Sequence, residues 1–382
     1  MRFYFVLLLL SLQLFGDDFL ASTNGVLNAI VHSEYETMQG RSGDDTLPKE
    51  SNAFSTLYAD MKIDHDFSDD FFVSIGAKGN LVLGEDRYDT MMYQRTKVSA
   101  DELNRVMLSE ASFNYDNDLL TLNVGRQQVD YNWLLGSIDG ILGMVGSDEA
   151  MSLRLFWFEN YHHLQYNYYM QVEGINVDKG MYGAIAKAAF DHTDITLFDY
   201  YLQDIRNIYG SDVTFLYENF GINLSYAAAQ ALPLAAYDYD ERFFNGSIEG
   251  LIGRHYFELG GSITGENGLL ALLQLGSNMF GQFYLSNQVD RENARNGFLR
   301  YVYANSSWRF EAIGGATRYD NSFIRLENAL ESYEIDCYLQ YYLRDDLSFE
   351  LGAMYMNVDE ADPLQVDQSF VMLNMVYHYE TY

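Results

Sequence analysis

A chain of 382 residues is long enough for two soluble domains or one large barrel. Its 23 Lys and Arg against 55 Asp and Glu, a net charge of −32, exclude nucleic-acid binding, because phosphate needs cations to neutralise it. Past the N-terminus no run of about 20 apolar residues exists, which excludes a helical membrane protein. By contrast 32 Tyr, 25 Phe and only 3 Pro suit an all-β barrel that meets lipid.

The chain begins with Met1-Arg2, a short apolar core from Phe3 to Phe15 and then Gly16-Asp17-Asp18, which reads as a secretory signal peptide over 1–16. A buried N-terminal helix is the other reading. Residues 17–382 are expected to form the barrel. Cys337 is the only cysteine, so neither a disulfide framework nor a lipidated cysteine follows the leader. Export without disulfides suits a bacterial envelope.

Segments of about ten residues with period two come next, separated alternately by tight turns and longer polar loops. In Ala53 to Asp66, Leu57, Ala59, Met61 and Ile63 oppose Tyr58, Asp60, Lys62 and Asp64. In Phe71 to Leu81, Val73, Ile75 and Ala77 oppose Ser74, Gly76, Lys78 and Asn80. Arg105 to Tyr115 leads through Asp116-Asn117-Asp118 into the stretch Asp118 to Gly146. There Leu120, Leu122 and Val124 alternate with polar residues until Gly125-Arg126, and the stretch that follows carries Trp133, Leu134, Leu135, Ile138, Ile141, Leu142, Met144 and Val145, too apolar for a solvated surface loop. Residues 129–149 are expected to be a constriction loop folded into the lumen, or alternatively a cap on the barrel mouth.

Further segments are expected near 150–159, 162–172, 180–190, 194–203, 211–219, 222–231, 242–252 and 254–264. Gly265 to Asn296 admits a helix, a strand pair or a second inward loop. The pattern resumes at 297–305, 306–316, 331–343, 347–357 and 367–380. The fold expected is a transmembrane antiparallel barrel of about 18 strands, with 16 the smaller count the pattern admits, and with both termini periplasmic. Pro48, Pro233 and Pro363 fall between strands on one side, as residues without a ladder donor should. Trp157 and Trp308 are placed at strand ends, in interfacial girdles. A soluble sandwich or propeller explains the leader, the two-sided loop lengths and the aromatic excess less well.

By alternation the enclosed face carries Asp60, Asp64, Glu110, Glu218, Glu249, Glu258, Glu311, Glu334, Asp336 and Glu350 against Lys62, Lys78, Lys187, Arg300 and Arg309. That excess of acids points to a water-filled pore with a mild cation preference, unless cross-strand pairing cancels the field. Arg126 falls on the lipid face. Either it reaches the headgroups from a strand end, or a bulge at Gly125 turns it inward toward Asp130, Asp139 or Glu110. Arg154 is a second lumen cation, placed opposite Asp139. The pore-lining and constriction set is therefore Lys78, Glu110, Arg126, Asp130, Asp139, Arg154, Arg300 and Arg309. There is no GxSxG, HExxH or CxxC pattern, and His162-His163 point to opposite faces, so no enzyme, resident metal or cofactor is expected. Acidic runs at 237–241 and 359–362 suit weak surface Ca²⁺ binding at most.

The run VGRQQVDYNWLLGSIDGILGMV, followed by Asp178 to Tyr182 and LFDYYLQDIRNIYG at 197–210, resembles the Opr-type general porins of Gram-negative outer membranes. The resemblance covers about a third of the chain in order and extends to alginate-export-like and OprD-like channels. It implies a monomeric or homotrimeric channel in outer-membrane lipid and lipopolysaccharide, passing ions and small hydrophilic solutes. It places Gly125-Arg126-Gln127 at the strand end before the constriction and Trp133 to Gly146 in the constriction loop. A substrate-selective channel and a non-conducting structural or adhesive barrel stay open beside general diffusion.

Overall fold

The computed structural model describes residues 23–39, 41–42, 45–46, 50–86, 104–117, 119–131, 134–147, 149–164, 169–172, 179–233, 240–269, 288–320, 329–359, 361–362 and 367–381. The expected leader over 1–16, Trp133, Pro48 and Pro363 lie outside the described residues.

Eighteen long strands among the described residues close one antiparallel barrel. The first six are β1 Thr23–Gln39, β2 Glu50–Asp66, β3 Phe71–Asp86, β4 Arg105–Asp116, β5 Leu120–Tyr131 and β6 Leu134–Gly146. The next six are β7 Met151–Leu164, β8 Met181–Phe190, β9 Thr193–Leu202, β10 Arg206–Tyr217, β11 Phe220–Ala231 and β12 Asp240–Ile252. The last six are β13 His255–Thr264, β14 Glu292–Ala304, β15 Trp308–Asp320, β16 Leu330–Arg344, β17 Leu347–Val358 and β18 Asp367–Thr381. Each pairs with its sequence neighbours. β1 and β18 close the ring from Gly25↔Thr381 to Gln39↔Asp367. A seam of side chains crosses that closure: His32 Nδ1 lies 2.7 Å from Asn374 Oδ1, and Asn374 donates to Glu350 on β17 at 3.1 Å.

Alternation fixes the two faces. On β16, Ile335 is 57% exposed while its neighbour Asp336 is 0%. Leu351, Leu373, Leu259 and Leu155 share the outward face, and Asn374, Glu258 and Phe156 the enclosed one. An outward belt of Leu, Ile, Val, Phe and Tyr is what a barrel in hydrocarbon needs, since closure leaves no strand edge unpaired. Ile335→Arg should therefore cost about 2–4 kcal/mol, the penalty for a guanidinium near the bilayer midplane. Urea titration of folding in lipid vesicles checks this, and an unchanged midpoint would contradict the lipid-facing assignment.

Thr23, which opens β1, and Thr381, which closes β18, share one end of the barrel with the tight turns, such as 67–70, 253–254 and 345–346. Glu218, expected on a strand's polar face, instead sits in the β10–β11 turn at φ 51°, because Phe220 already pairs with Tyr217. Trp157 is not at a strand end either. It lies inside β7, paired with Ile141 and Tyr182, because that strand runs on to Leu164. Trp308 does open β15.

The largest departure concerns 129–149. Trp133 to Gly146 was expected as a loop, but Leu134–Gly146 is a strand paired with β5 from Leu134 to Val145 and with β7 from Ser137 to Gly146. The connection between β5 and β6 is only 132–133. What turns inward is the upper part of these strands themselves. β4 pairs with β5 only as far as Ala111↔Arg126, and Arg105 to Glu110 have β3 as their sheet neighbour, with no β5 partner among the described residues. At that level Gly125, with φ +120°, is the register partner of Gly140, and the next rung of β7 carries a bulge that skips Glu159. A Cβ at Gly125 would meet the Ala111 carbonyl, and one at Gly140 the Trp157 carbonyl, so both sites need glycine for close backbone approach.

Above this line one side of β5 is covered, with Gln127 and Val129 buried, while Gln128 and Asp130 on the other side stay exposed. Val129, Leu134, Ile138 and Tyr161 join a cluster with Phe156, Phe158, Phe198, Tyr200 and Phe243. Tyr131, at the end of β5, stacks on Phe156 with centroids 6.0 Å apart. Toward the other wall, Gln128 meets Lys78 of β3, and Tyr58 of β2 donates to the Leu164 carbonyl at 3.5 Å. A short segment, Tyr169–Val172, doubles back on Tyr161–Leu164. The β5–β7 tip thus lies inside the barrel, and its apolar residues fill part of the lumen.

The ends of the 265–291 connection enter the lumen as well. Leu269 and Val289 are 1% and 3% exposed within the same cluster. Gln288 reaches Met356 Sδ on β17 at 3.8 Å. Residues 270–287, which hold most of the run read as a helix, strand pair or inward loop, lie outside the described residues.

Candidate functional site: an off-centre lumen passage

The inward tip divides the lumen unequally. On the side of β7–β12 the apolar cluster closes the space. On the side of β1–β3 a cavity of about 450 Å³ persists, and it is lined by Ile30, Tyr58 and Lys78 from the wall and by Gln128, Val129, Asp130, Leu135, Gly136 and His163 from the tip. Gly136, at φ +152°, is needed there because a Cβ would strike the His162 carbonyl and the Tyr161 ring. Tyr161 in turn donates to the Leu135 carbonyl, which pins the tip's two strands.

Charge around the cavity is paired in layers. Lys78 Nζ sits 3.5 Å from Asp60 Oδ2 and donates to Gln128 Oε1 at 3.2 Å, joining wall to tip. Below it Lys62 bridges Asp64 at 3.4 Å and Glu110 at 3.2 Å, and Ser74 donates to Asp64. Glu110 is buried, and a bulge opposite Gly76 places Ser109 and Glu110, consecutive residues, both out of solvent. Asp130 faces the cavity with no cation within ion-pair distance among the described residues.

Arg126 shares the register row of Ile75 and Ala111, so its backbone stays on the lipid-side parity. Its side chain does not reach lipid headgroups. Nε and Nη2 grip both Asp139 oxygens at 2.5 and 2.6 Å, Nη2 lies 2.9 Å from His162 Nε2, and Nη1 donates to the Leu108 carbonyl at 3.0 Å. Asn160 adds a bond to Asp139 at 3.1 Å. The guanidinium thus supplies a donor on the β4 edge where β5 has turned away, and it locks the bend between β5, β6 and β7.

The remaining expected residues are dispersed. Arg154 is not opposite Asp139, whose β7 partner is Asn160. It pairs with Met144 and Ile185 and lies under the tip, its guanidinium 5.4 Å from the Tyr131 ring. The bulge at Glu159 and the length of β7 account for the difference. Arg300 and Arg309 stand on the far wall, where Glu311 accepts from both at 2.8 Å, Glu258 lies 3.5 Å from Arg300, and Tyr256 donates to Glu249 at 2.6 Å. Lys78 and Asp130 are therefore brought together at the cavity, Arg126 and Asp139 at its hinge, and Arg300 and Arg309 on the far wall, while Glu110 and Arg154 stand apart from these pairs. Tyr58 came from the expected polar face and Val129, Leu135 and Gly136 from the expected inward segment, whereas Ile30, Gln128 and His163 joined the lining unforeseen, with only the sequence nearness of Gln128 to Arg126 as a hint. Among the described residues no three His, Cys, Asp or Glu are placed to hold a metal.

No family model matches the chain, and no curated protein does either. Solved structures do. OpdK of Pseudomonas aeruginosa, determined with vanillate, aligns with a TM-score of 0.73 at 14% identity over 95% of this chain and 100% of that one. OpdO of the same organism gives 0.70 at 13% over 96% and 99%, and OccAB2 of Acinetobacter baumannii 0.69 at 15% over 94% and 98%. At such identities the likeness is one of architecture: this chain has the eighteen-strand, closed antiparallel β-barrel fold of these outer-membrane proteins.

Proposed function

We propose that the chain forms a channel in the outer membrane of a Gram-negative bacterium, with its termini and tight turns toward the periplasm, and that it admits small organic solutes selectively. The observation that carries this reading is the unequal lumen. Barrels of about 16–18 strands ordinarily leave a broad aqueous path, but here the tip and the aromatic cluster occupy one side and leave a cavity of about 450 Å³ beside a charged wall. Wide general diffusion, the first expectation from the sequence, gives way to passage past named side chains. The fold shared with OpdK, solved with vanillate, supports a small organic solute as the class of cargo. The acid excess along the enclosed face, with Asp130 unpaired among the described residues, favours cations over anions.

Swelling of proteoliposomes in neutral sugars of graded size tests the channel. Arabinose is expected to enter readily and disaccharides much more slowly. Equal rates for both would indicate an unobstructed pore, and no swelling at all a sealed barrel.

A further inference from the structure

We propose that the cavity between the tip and β1–β3 is a binding subsite for small primary amines carrying a compact aromatic or branched apolar body. This rests on the channel reading and names the chemistry of the solute that the passage holds.

The charges come first. The one Lys or Arg in the lining among the described residues, Lys78, is committed to Asp60 on one side and to Gln128 on the other. A solute carboxylate would have to displace one of them. Arginine, whose planar fork is the usual partner for carboxylates, is missing from the lining among the described residues, and nearby Arg126 already spends Nε and both terminal nitrogens on Asp139, His162 and the Leu108 carbonyl. The surplus is negative. Asp130 contributes a carboxylate without a cation among the described residues, while the Asp60 carboxylate, outside the lining, already offsets Lys78. An ammonium supplies three donors and one positive charge, the complement of this set.

The rest of the lining then selects the body of the solute. Ile30, Val129 and Leu135 give apolar area, and Tyr58 adds an aromatic ring, a group that attracts ammonium. About 450 Å³ holds a single-ring amine with its water. A fully hydrated inorganic ion would leave these apolar surfaces unused, so the subsite favours an organic cation over potassium.

The full-length barrel in a planar bilayer, conducting in KCl, reads this directly through current blockade by benzylammonium, benzoate and benzyl alcohol, which share a ring and differ in charge. Benzylammonium is expected to block at concentrations at least about tenfold below benzoate, the factor attached to one charge-assisted contact, with benzyl alcohol between them. Asp130→Asn should weaken the benzylammonium block by about tenfold, and Asp130→Lys should abolish it. Equal block by benzylammonium and benzoate, or a block unchanged by Asp130→Asn, overturns the subsite. The wild-type comparison alone decides if the variants do not fold. A wild-type barrel that neither conducts nor admits arabinose overturns instead the channel reading on which the subsite stands.

Discussion

Replacing residues 127–138 by an Asn-Gly turn is expected to raise single-channel conductance several-fold and to let disaccharides swell proteoliposomes, with the barrel still assembled. Arg126 and Asp139 are register partners, and a two-residue turn joins directly opposed residues of a hairpin. The β4–β5 ladder up to Ala111↔Arg126 and the lower β6–β7 ladder are untouched. The deletion removes Val129, Leu134 and Ile138 from the lumen cluster, each worth about 1.5–3 kcal/mol of burial. It also uncovers Phe156, Phe158 and Tyr200 to water, so a lower melting temperature accompanies the wider pore. Unchanged conductance and an unchanged sugar cut-off would show that the tip does not set the passage.

The second large effect is expected at the bend. Arg126→Ala removes both bonds to Asp139, the contact with His162 and the donor to the Leu108 carbonyl in one change. Stranding one member of a buried ion pair costs about 3–5 kcal/mol. The Arg126 and Asp139 side chains keep 22% and 25% exposure, which brings the expectation to about 2–3 kcal/mol once solvent screening is counted. Arg126→Ala combined with Asp139→Ala should cost less than the two single changes added together, by about 1–2 kcal/mol, because the double variant leaves no uncompensated carboxylate. Urea titrations of the four proteins in lipid vesicles supply the cycle. Additivity within about 0.5 kcal/mol would mean the pair does not hold the bend.

The wall of this barrel was legible because each wall strand keeps one face in hydrocarbon and one in the enclosed space. Leu57 against Tyr58 and Ile335 against Asp336 advertise that contrast residue by residue. The tip was not legible for the same reason reversed. From Leu134 to Ile138 no residue is left exposed on either side, the contrast of period two fades, and a strand reads as an apolar loop. Its inward course was anticipated, but not its form. The pairing of Gly125 with Gly140 that permits the bend depends on a connection as short as 132–133, which the apolar run concealed. Arg126 shows the limit of parity most plainly. Alternation placed it correctly on the outward side, but β5 has slipped inside β4, so the outward side of that segment is no longer lipid. The cavity collects residues from β1, β2, β3, β5, β6 and β7, and no local pattern joins Ile30 to His163.

The seam between β1 and β18 bears on how such a chain comes to exist at all. His32 waits for Asn374, 342 positions later, so nothing synthesised in the interval can complete the ring. Until the final strand arrives, the nascent polypeptide carries an open sheet edge able to pair with any other chain. Contacts so distant in sequence form slowly. Closing the circle is therefore the last step open to this chain, and it waits on the final strand.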